Sequence, residues 1–144
     1  MDKVAIFYIL NAKDDINYAI CKIIKKYFEQ EKRVIVSSKD QNVINNINNL
    51  LWTFEQLSFI PHCIEKDYDS LTPVLLMDAN FKNDSISKKD YNIFINLDDE
   101  EKTDYHDHDV IVEVVSDNER KKKLAREKYL YYKKNKLNVK HENL

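Results

Sequence analysis

The sequence has no glycine among its 144 residues. Loops that bind phosphate use glycine because it lets the backbone approach the anion closely and adopt positive φ angles. Neither a P-loop nor a dinucleotide-binding motif can be formed by this sequence. The missing glycine therefore argues against an enzyme of the nucleotide-binding α/β class. That class is one alternative here, and a thermal-shift screen with nucleotides would test it.

Cysteines and long apolar runs are also scarce. The two cysteines, Cys21 and Cys63, are too few for a disulfide framework, and we expect both to be reduced. No apolar run approaches the roughly 20 residues that span a bilayer. The amino terminus lacks the small-residue cleavage site of a signal peptide. We therefore predict a cytoplasmic protein that does not contact a membrane.

An excess of positive charge is missing as well. The 23 Lys and Arg residues are balanced by 25 Asp and Glu residues, which gives a net charge of −2. A general DNA-binding protein would carry a clear cationic excess. The overall balance does not exclude a local basic patch, because net charge does not describe how charges are distributed.

Strand and helix patterns alternate along the chain. Apolar segments rich in β-branched and aromatic residues predict strands at residues 4–10, 33–37, 73–77, 91–97 and 110–115. Helical spacing predicts a helix over residues 16–30, with Asp14 or Asp15 as its N-cap. Two further helices are predicted after capping boxes that begin at Ser38 and Ser116. The order predicts one domain over residues 1–144, with a three-layer α/β/α fold and a mostly parallel sheet of about five strands.

No catalytic, metal or cofactor site is predicted. His106 and His108 alternate with aspartates in a loop, without the fixed geometry or the cysteines of a zinc site. His62 and Cys63 are adjacent, and adjacent side chains of an extended chain point to opposite faces. A nucleophile–base pair is therefore not expected there. His141 falls in the C-terminal tail, where the sequence indicates no role for it.

The last predicted helix carries a stripe of basic and aromatic residues. Positions spaced by four, three and four place four residues on one face: Lys122, Arg126, Tyr129 and Lys133. A neighbouring arc can dock on the sheet, and it consists of Leu124, Ala125, Tyr131 and Tyr132. The cationic face therefore borders aromatic surface. This combination suits an acidic peptide with an apolar end, since cations attract the peptide and an aromatic pocket anchors it.

Two other interpretations of this helix remain open at this point. Lys and Arg late in a helix also complement the helix dipole while staying hydrated. Arg and Tyr also bind single-stranded nucleic acid through charge and stacking. A direct single-stranded nucleic-acid-binding protein is thus the main alternative function.

Four blocks of the sequence resemble the chi subunit family of bacterial DNA polymerase III. The blocks are VAIFYIL, EKRVIV, LWTFEQLSFIPH and LAREKYLYYK, and their order and spacing agree with the family over nearly the whole chain. The third block resembles the family's Leu-Trp…Ser-Phe-x-Pro-His motif through Leu51, Trp52, Ser58, Phe59, Pro61 and His62. The fourth resembles its Leu-Ala-Arg-Glu-Arg-Tyr helix.

The resemblance implies a non-catalytic accessory subunit with two partners. One is the acidic C-terminal tail of single-stranded-DNA-binding protein, for which the matching positions are Lys122, Arg126 and Tyr129. Family members often carry a cation where this sequence has Leu130, so the site is expected either to be weaker or to use Lys133 in its place. The other partner is the psi subunit of the clamp loader. Contact with nucleic acid would then be only indirect.

The resemblance also implies where psi binds and how the last helix ends. The matching surface for psi is formed by Trp52, Phe59 and Pro61, although Trp52 and Phe59 also suit an ordinary core. His62 is expected to be a structural hydrogen-bonding residue. The family's glycine after the last helix is replaced by the Asn135-Lys136 region, and asparagine tolerates positive φ angles.

Overall fold

The fold is a seven-stranded parallel sheet with helices on both faces, seen in a computed structural model that describes residues 3–54, 59–80 and 86–144. Within these residues the strands are β1 (Val4–Ile9), β2 (Val34–Ser38), β3 (His62–Ile64), β4 (Val74–Asp78), β5 (Ile93–Asn96), β6 (Val110–Val115) and β7 (Asn138–Asn143). Their order in the sheet is β3-β4-β2-β5-β6-β1-β7. All neighbouring strands run parallel.

Three α-helices in the described residues cover the two faces of this sheet. Helices α1 (Ile16–Glu29) and α2 (Gln41–Thr53) pack on one face, and α3 (Glu119–Lys134) packs on the other. Successive side chains of the central strands belong to alternate cores: Ile6 and Tyr8 pack towards α1 and α2, whereas Phe7 packs towards α3. The predicted three-layer α/β/α class is therefore confirmed, in a doubly wound, Rossmann-like arrangement.

The predicted number of about five strands is too low, because both edge strands were missed. Strand β3 has only three residues and follows Pro61, so it carries little apolar pattern. Strand β7 has the polar sequence NVKHEN and is largely exposed. Edge strands are commonly short or charged because such features discourage pairing with another chain. The apolar signal that identifies central strands is therefore weak in them.

The observed N-caps of the three helices agree with one prediction and contradict two. The Asp15 carboxylate caps α1, as the sequence indicated. Helix α2 is capped by Asp40, because Ser38 is the buried last residue of β2 and its hydroxyl accepts a hydrogen bond from the Asp40 amide. Helix α3 is capped by Asn118 instead of Ser116. In each helix the residue just before the first turn accepts from a backbone N–H of that turn.

Two helices end in left-handed turns without glycine. Glu31 after α1 has a φ of 60° and Lys136 after α3 has a φ of 66°. The amides of Lys136 and Leu137 donate to the carbonyls of Lys133 and Tyr132, which is the Schellman pattern. Helix α3 thus ends in a Schellman turn, with Lys136 in the left-handed position while Asn135 keeps a negative φ.

Candidate functional site

A groove of about 500 Å³ lies between α3 and the edge strand β7. Helix α3 forms one wall, His141 of β7 forms the other, and residues of β1 and β6 form the floor. The lining residues are Phe7, Ile9, Val115, Lys122, Ala125, Arg126, Tyr129, Leu130 and His141. Most of this surface is apolar, and the cations stand at its α3 wall. The groove can therefore hold an apolar group beside a negatively charged one.

The structure brings three of the four predicted stripe residues into this groove. Lys122, Arg126 and Tyr129 all line it. Lys133 lies outside the lining, but its Nζ is 3.4 Å from the Tyr129 hydroxyl and 5.6 Å from the centre of the Tyr129 ring. Lys133 can therefore add positive charge at the Tyr129 end. Leu130 also lines the groove, with a side chain that is 66% exposed.

The two cations of the groove differ in their partners. The Nζ of Lys122 lies 2.8 Å from a carboxylate oxygen of Asp117. This hydrogen bond is the main cause of the raised pKa of Lys122. The exposed Arg126 makes no ion pair or hydrogen bond with the residues that the structure describes. Its planar guanidinium is free to bind a carboxylate through two parallel hydrogen bonds.

A buried charged network holds the opposite side of α3 on the sheet. Glu113 of β6 accepts hydrogen bonds from Lys128 at 2.8 Å, from the Tyr132 hydroxyl at 2.7 Å and from the Asn96 amide at 2.9 Å. Lys128 also donates to the Asp98 carbonyl at 2.6 Å. Burial raises the pKa of Tyr132, and the negative charge of Glu113 adds to this effect. Because each charge is paired, the network fixes how α3 is rotated about its axis.

A smaller cavity of about 150 Å³ adjoins this network at the carboxyl ends of β5 and β6. Beside it lie the neighbouring strands β1 and β6, whose following helices α1 and α3 pack on opposite faces of the sheet. In doubly wound folds such a position commonly binds ligands. Here its two lysines are already neutralised: Lys121 pairs with Asp99 at 3.0 Å and Lys128 pairs with Glu113. The lysine partner is the main reason why the pKa of Asp99 is lowered. The described lining of the cavity therefore offers no unpaired cation for a phosphate group.

An exposed aromatic cluster lies at the other edge of the sheet. Trp52 of α2 is 60% exposed and Phe59, which precedes β3, is 59% exposed, so neither belongs to the core. Their ring centres are 5.3 Å apart, and the Trp52 ring lies 5.1 Å from that of His62. The His62 Nδ1 is 2.7 Å from the Ile60 carbonyl, which supports the predicted hydrogen-bonding role. Pro61, which precedes His62 in the sequence, is half-buried. Ser58 of the motif lies outside the described residues.

The remaining histidines form no metal site in the described part of the chain. His108 is buried, and its Nδ1 is 2.8 Å from the Tyr91 carbonyl. His106 is exposed and lies against the Tyr105 ring. No group of three His, Cys, Asp or Glu residues among residues 3–54, 59–80 and 86–144 is placed to hold a metal ion. In the same ranges no helix is long and apolar enough to cross a membrane.

Sequence reasoning missed two parts of the site. His141 was assigned to a tail without a role, yet it lies in β7 and stacks on the Phe7 and Tyr129 rings. The network around Glu113 was also missed, although a glutamate inside the apolar run VIVEVV and a lysine facing the sheet were visible signals. Buried charges are usually paired, so each of them pointed to a partner.

Comparison with known structures supports a Rossmann-like α/β class. The chain is similar to the C-terminal domain of S. cerevisiae Dbp5 in a complex with Gle1 and IP6, with a TM-score of 0.58 and 9% identity over 94% of this chain and 88% of that one. It is also similar to the C-terminal domain of a Sulfolobus solfataricus SWI2/SNF2 ATPase, with a TM-score of 0.51 and 10% identity over 81% of this chain and 55% of that one. These identities are low enough that the likeness concerns the fold alone.

Comparison with protein families is more specific. The family described as DNA polymerase III chi subunit, HolC, matches residues 1–140. The chain therefore belongs to the chi subunit family of DNA polymerase III, whose members are accessory subunits of the polymerase holoenzyme. No curated protein matches the chain significantly by sequence.

Proposed function

We propose that this chain is an adaptor that binds the acidic C-terminal tail of single-stranded-DNA-binding protein and, through the psi subunit, the clamp loader. The observation that carries the proposal is Arg126, an exposed guanidinium at the wall of an apolar groove that has no ion-pair partner among the described residues. The adaptor would hold the clamp loader near coated template strands. Each coated strand offers many tails, so contacts that are weak singly add up through multivalency.

The groove between α3 and β7 favours an acidic peptide with an apolar end. Arg126 and Lys122 supply attraction, and Lys133 adds charge beside Tyr129. The apolar floor offers an apolar side chain a place where it leaves water, and such contacts usually dominate the binding energy. Both features are needed, since exposed ion pairs alone contribute little.

The aromatic cluster of Trp52, Phe59, Pro61 and His62 is the proposed psi-binding surface. Aromatic side chains are enriched in the energetically important centres of protein interfaces. The rings of Trp52 and Phe59 are more than half exposed, so a large apolar area is in contact with water in the free chain. The contact with a partner would bury that area.

The two proposed surfaces are far enough apart to be occupied together. The aromatic cluster lies beside β3, and the groove lies beside β7, at the opposite edge of the sheet. Six strand spacings of about 4.8 Å separate these edges, or roughly 29 Å. The helices involved, α2 and α3, also lie on opposite faces. One chain can therefore link two partners without competition between them.

The tail site is tested by calorimetry with a peptide of the tail sequence. Reversing the charge in Arg126→Glu or Lys122→Glu should weaken binding at least tenfold, and added salt should weaken binding to the wild type. Lys123→Glu is the matched control, since Lys123 lies on the same helix but does not line the groove. Unchanged affinity in both groove variants would exclude the site.

Direct binding of single-stranded nucleic acid by α3 is the alternative function. Tyr129 and His141 offer stacked rings beside Arg126, which is also a way to hold bases. A gel shift with an oligonucleotide and no other protein separates the two functions. Tight binding in that assay would favour the alternative.

The psi surface is tested through Trp52, the only tryptophan of the sequence. Trp52→Ala should abolish binding to psi or to the clamp loader while leaving tail binding and thermal stability nearly unchanged, because the side chain is exposed. A Leu71→Ala variant is the control, since Leu71 is more exposed still and lies outside the cluster. A large loss of stability in Trp52→Ala, with partner binding intact, would contradict this assignment.

A further inference from the structure

His141 stands at a point of the groove that faces the cations of α3. Its ring stacks on Phe7 with centres 5.8 Å apart and on Tyr129 with centres 5.4 Å apart, at 29° in both cases. The two contacts fix the imidazole at the wall formed by β7. The ring is nevertheless exposed, so solvent protons and a bound peptide can both reach it.

The described residues that line the groove together with His141 include no aspartate or glutamate. From α3 His141 is faced by Lys122, Arg126 and Tyr129, and the floor strands β1 and β6 contribute only Phe7, Ile9 and Val115. The carboxylate of Asp117, which precedes α3, is paired with Lys122.

The neighbours of His141 along β7 point away from the groove. Side chains of Lys140 and Glu142 lie on the other face of the strand because directions alternate. Glu142 confirms this, since its carboxylate accepts a hydrogen bond from Lys26 of α1 at 3.1 Å. A protonated His141 would therefore have no anionic partner among the described residues of the groove and would be available to an anionic ligand.

We infer that His141 is a further binding residue of the groove, which makes capture of the acidic tail stronger as the pH falls from 8 to 6. The inference rests on the proposed function. Imidazole changes its charge in this pH range, whereas the peptide carboxylates and the Lys and Arg side chains do not. A bound polyanion interacts more favourably with the protonated imidazole than with the neutral one. Proton uptake and tail binding are therefore coupled and must strengthen each other.

The test measures affinity for the tail peptide by fluorescence anisotropy at pH 6 and pH 8. Wild type should bind about two- to fivefold more tightly at pH 6, as expected for one added exposed ion pair. His141→Phe keeps a ring between Phe7 and Tyr129 but cannot be protonated, so its affinity should be equal at the two pH values. His106→Phe is the control and should keep the wild-type difference, because His106 lies away from the groove.

Calorimetry in buffers of different ionisation enthalpy provides a second readout. Wild type should take up protons on binding the peptide near pH 7, and His141→Phe should take up none. An equal pH dependence or equal proton uptake in wild type and His141→Phe would overturn the role of His141 while leaving tail binding intact. No binding by the wild type at either pH would instead overturn the proposed function, and the role of His141 with it.

Discussion

The Lys122 ammonium lies 2.8 Å from the Asp117 carboxylate, while Arg126, one helical turn further along α3, has no such partner among the described residues. Asp117 thus occupies Lys122 as a carboxylate of a bound peptide would. A peptide must displace Asp117 before it can use Lys122 fully, whereas Arg126 is available at once. The two cations of the groove are therefore not equally available to a bound peptide.

Removing the charge of Asp117 should strengthen tail binding. Asp117→Asn frees Lys122 and deletes a negative charge beside the groove, so affinity for the acidic peptide should rise about two- to fivefold. The measurement is a calorimetric titration at low salt. Asp99→Asn is the control, because Asp99 pairs with Arg120 and Lys121, and neither of these residues lines the groove. Weaker or unchanged binding in Asp117→Asn would show that Asp117 does not compete.

Breaking the buried pair beneath α3 should cost much more stability than any change on its exposed face. Lys128→Met leaves the Glu113 carboxylate buried without its cation, which typically costs about 3–5 kcal/mol. The double variant Glu113→Gln with Lys128→Met should recover most of that loss. Urea denaturation measures both, and the exposed Lys123→Met should stay within about 0.5 kcal/mol of wild type. A small effect in Lys128→Met would contradict the role of the network.

Glycine should stabilise the chain at the turn that ends α3. Lys136 has a φ of 66°, a conformation that costs a non-glycine residue about 1–2 kcal/mol. Lys136→Gly should therefore raise the free energy of unfolding by up to about 1 kcal/mol, after the larger entropy of the unfolded chain is subtracted. The comparison variant Lys123→Gly, at an exposed position in the interior of the helix, should lower it by about 1 kcal/mol. Equal losses in both variants would argue against a left-handed Lys136.

The buried His108 should make stability depend on pH. Burial lowers the pKa of His108 below that of a histidine in the unfolded chain, so the unfolded chain binds the proton more readily. The stabilising contribution is present above about pH 6.5 and is lost as the pH falls through the folded-state value.

Urea denaturation at pH 7.5 and pH 5.5 checks this expectation. Wild type should lose more stability between these pH values than His108→Asn, whose amide can still donate to the Tyr91 carbonyl. The exposed His106→Asn should behave as wild type. The same pH dependence in all three proteins would show that His108 is not responsible for it.

Central elements of the fold were predictable because burial leaves a strong pattern in the sequence. Strands β1 and β6 are continuous apolar runs, and the predicted bounds of α1 differ from those observed by one residue. Edge strands were not predictable in this way. Strand β7 has no apolar run, and it forms because its backbone pairs with β1 and the turn at Lys136 returns the chain to the sheet.

The candidate site was predictable only where it lies on one helix. Helical spacing alone grouped Lys122, Arg126 and Tyr129, which do share a groove. His141 could not be grouped with them, because its proximity depends on the pairing of β7 with β1. Asp117 likewise became a partner of Lys122 only through the turn before α3. Contacts between elements can be predicted only when the fold is known, whereas contacts along one helix can be predicted from the helical period alone.

The most direct test of the adaptor is the binding of this chain to intact single-stranded-DNA-binding protein of the same organism, compared with the same protein lacking its last few residues. Wild type should bind the intact protein and lose binding when the tail is removed, and Arg126→Glu should bind neither form. Equal binding of wild type to the intact and truncated proteins would contradict the central claim that the groove beside α3 captures the tail.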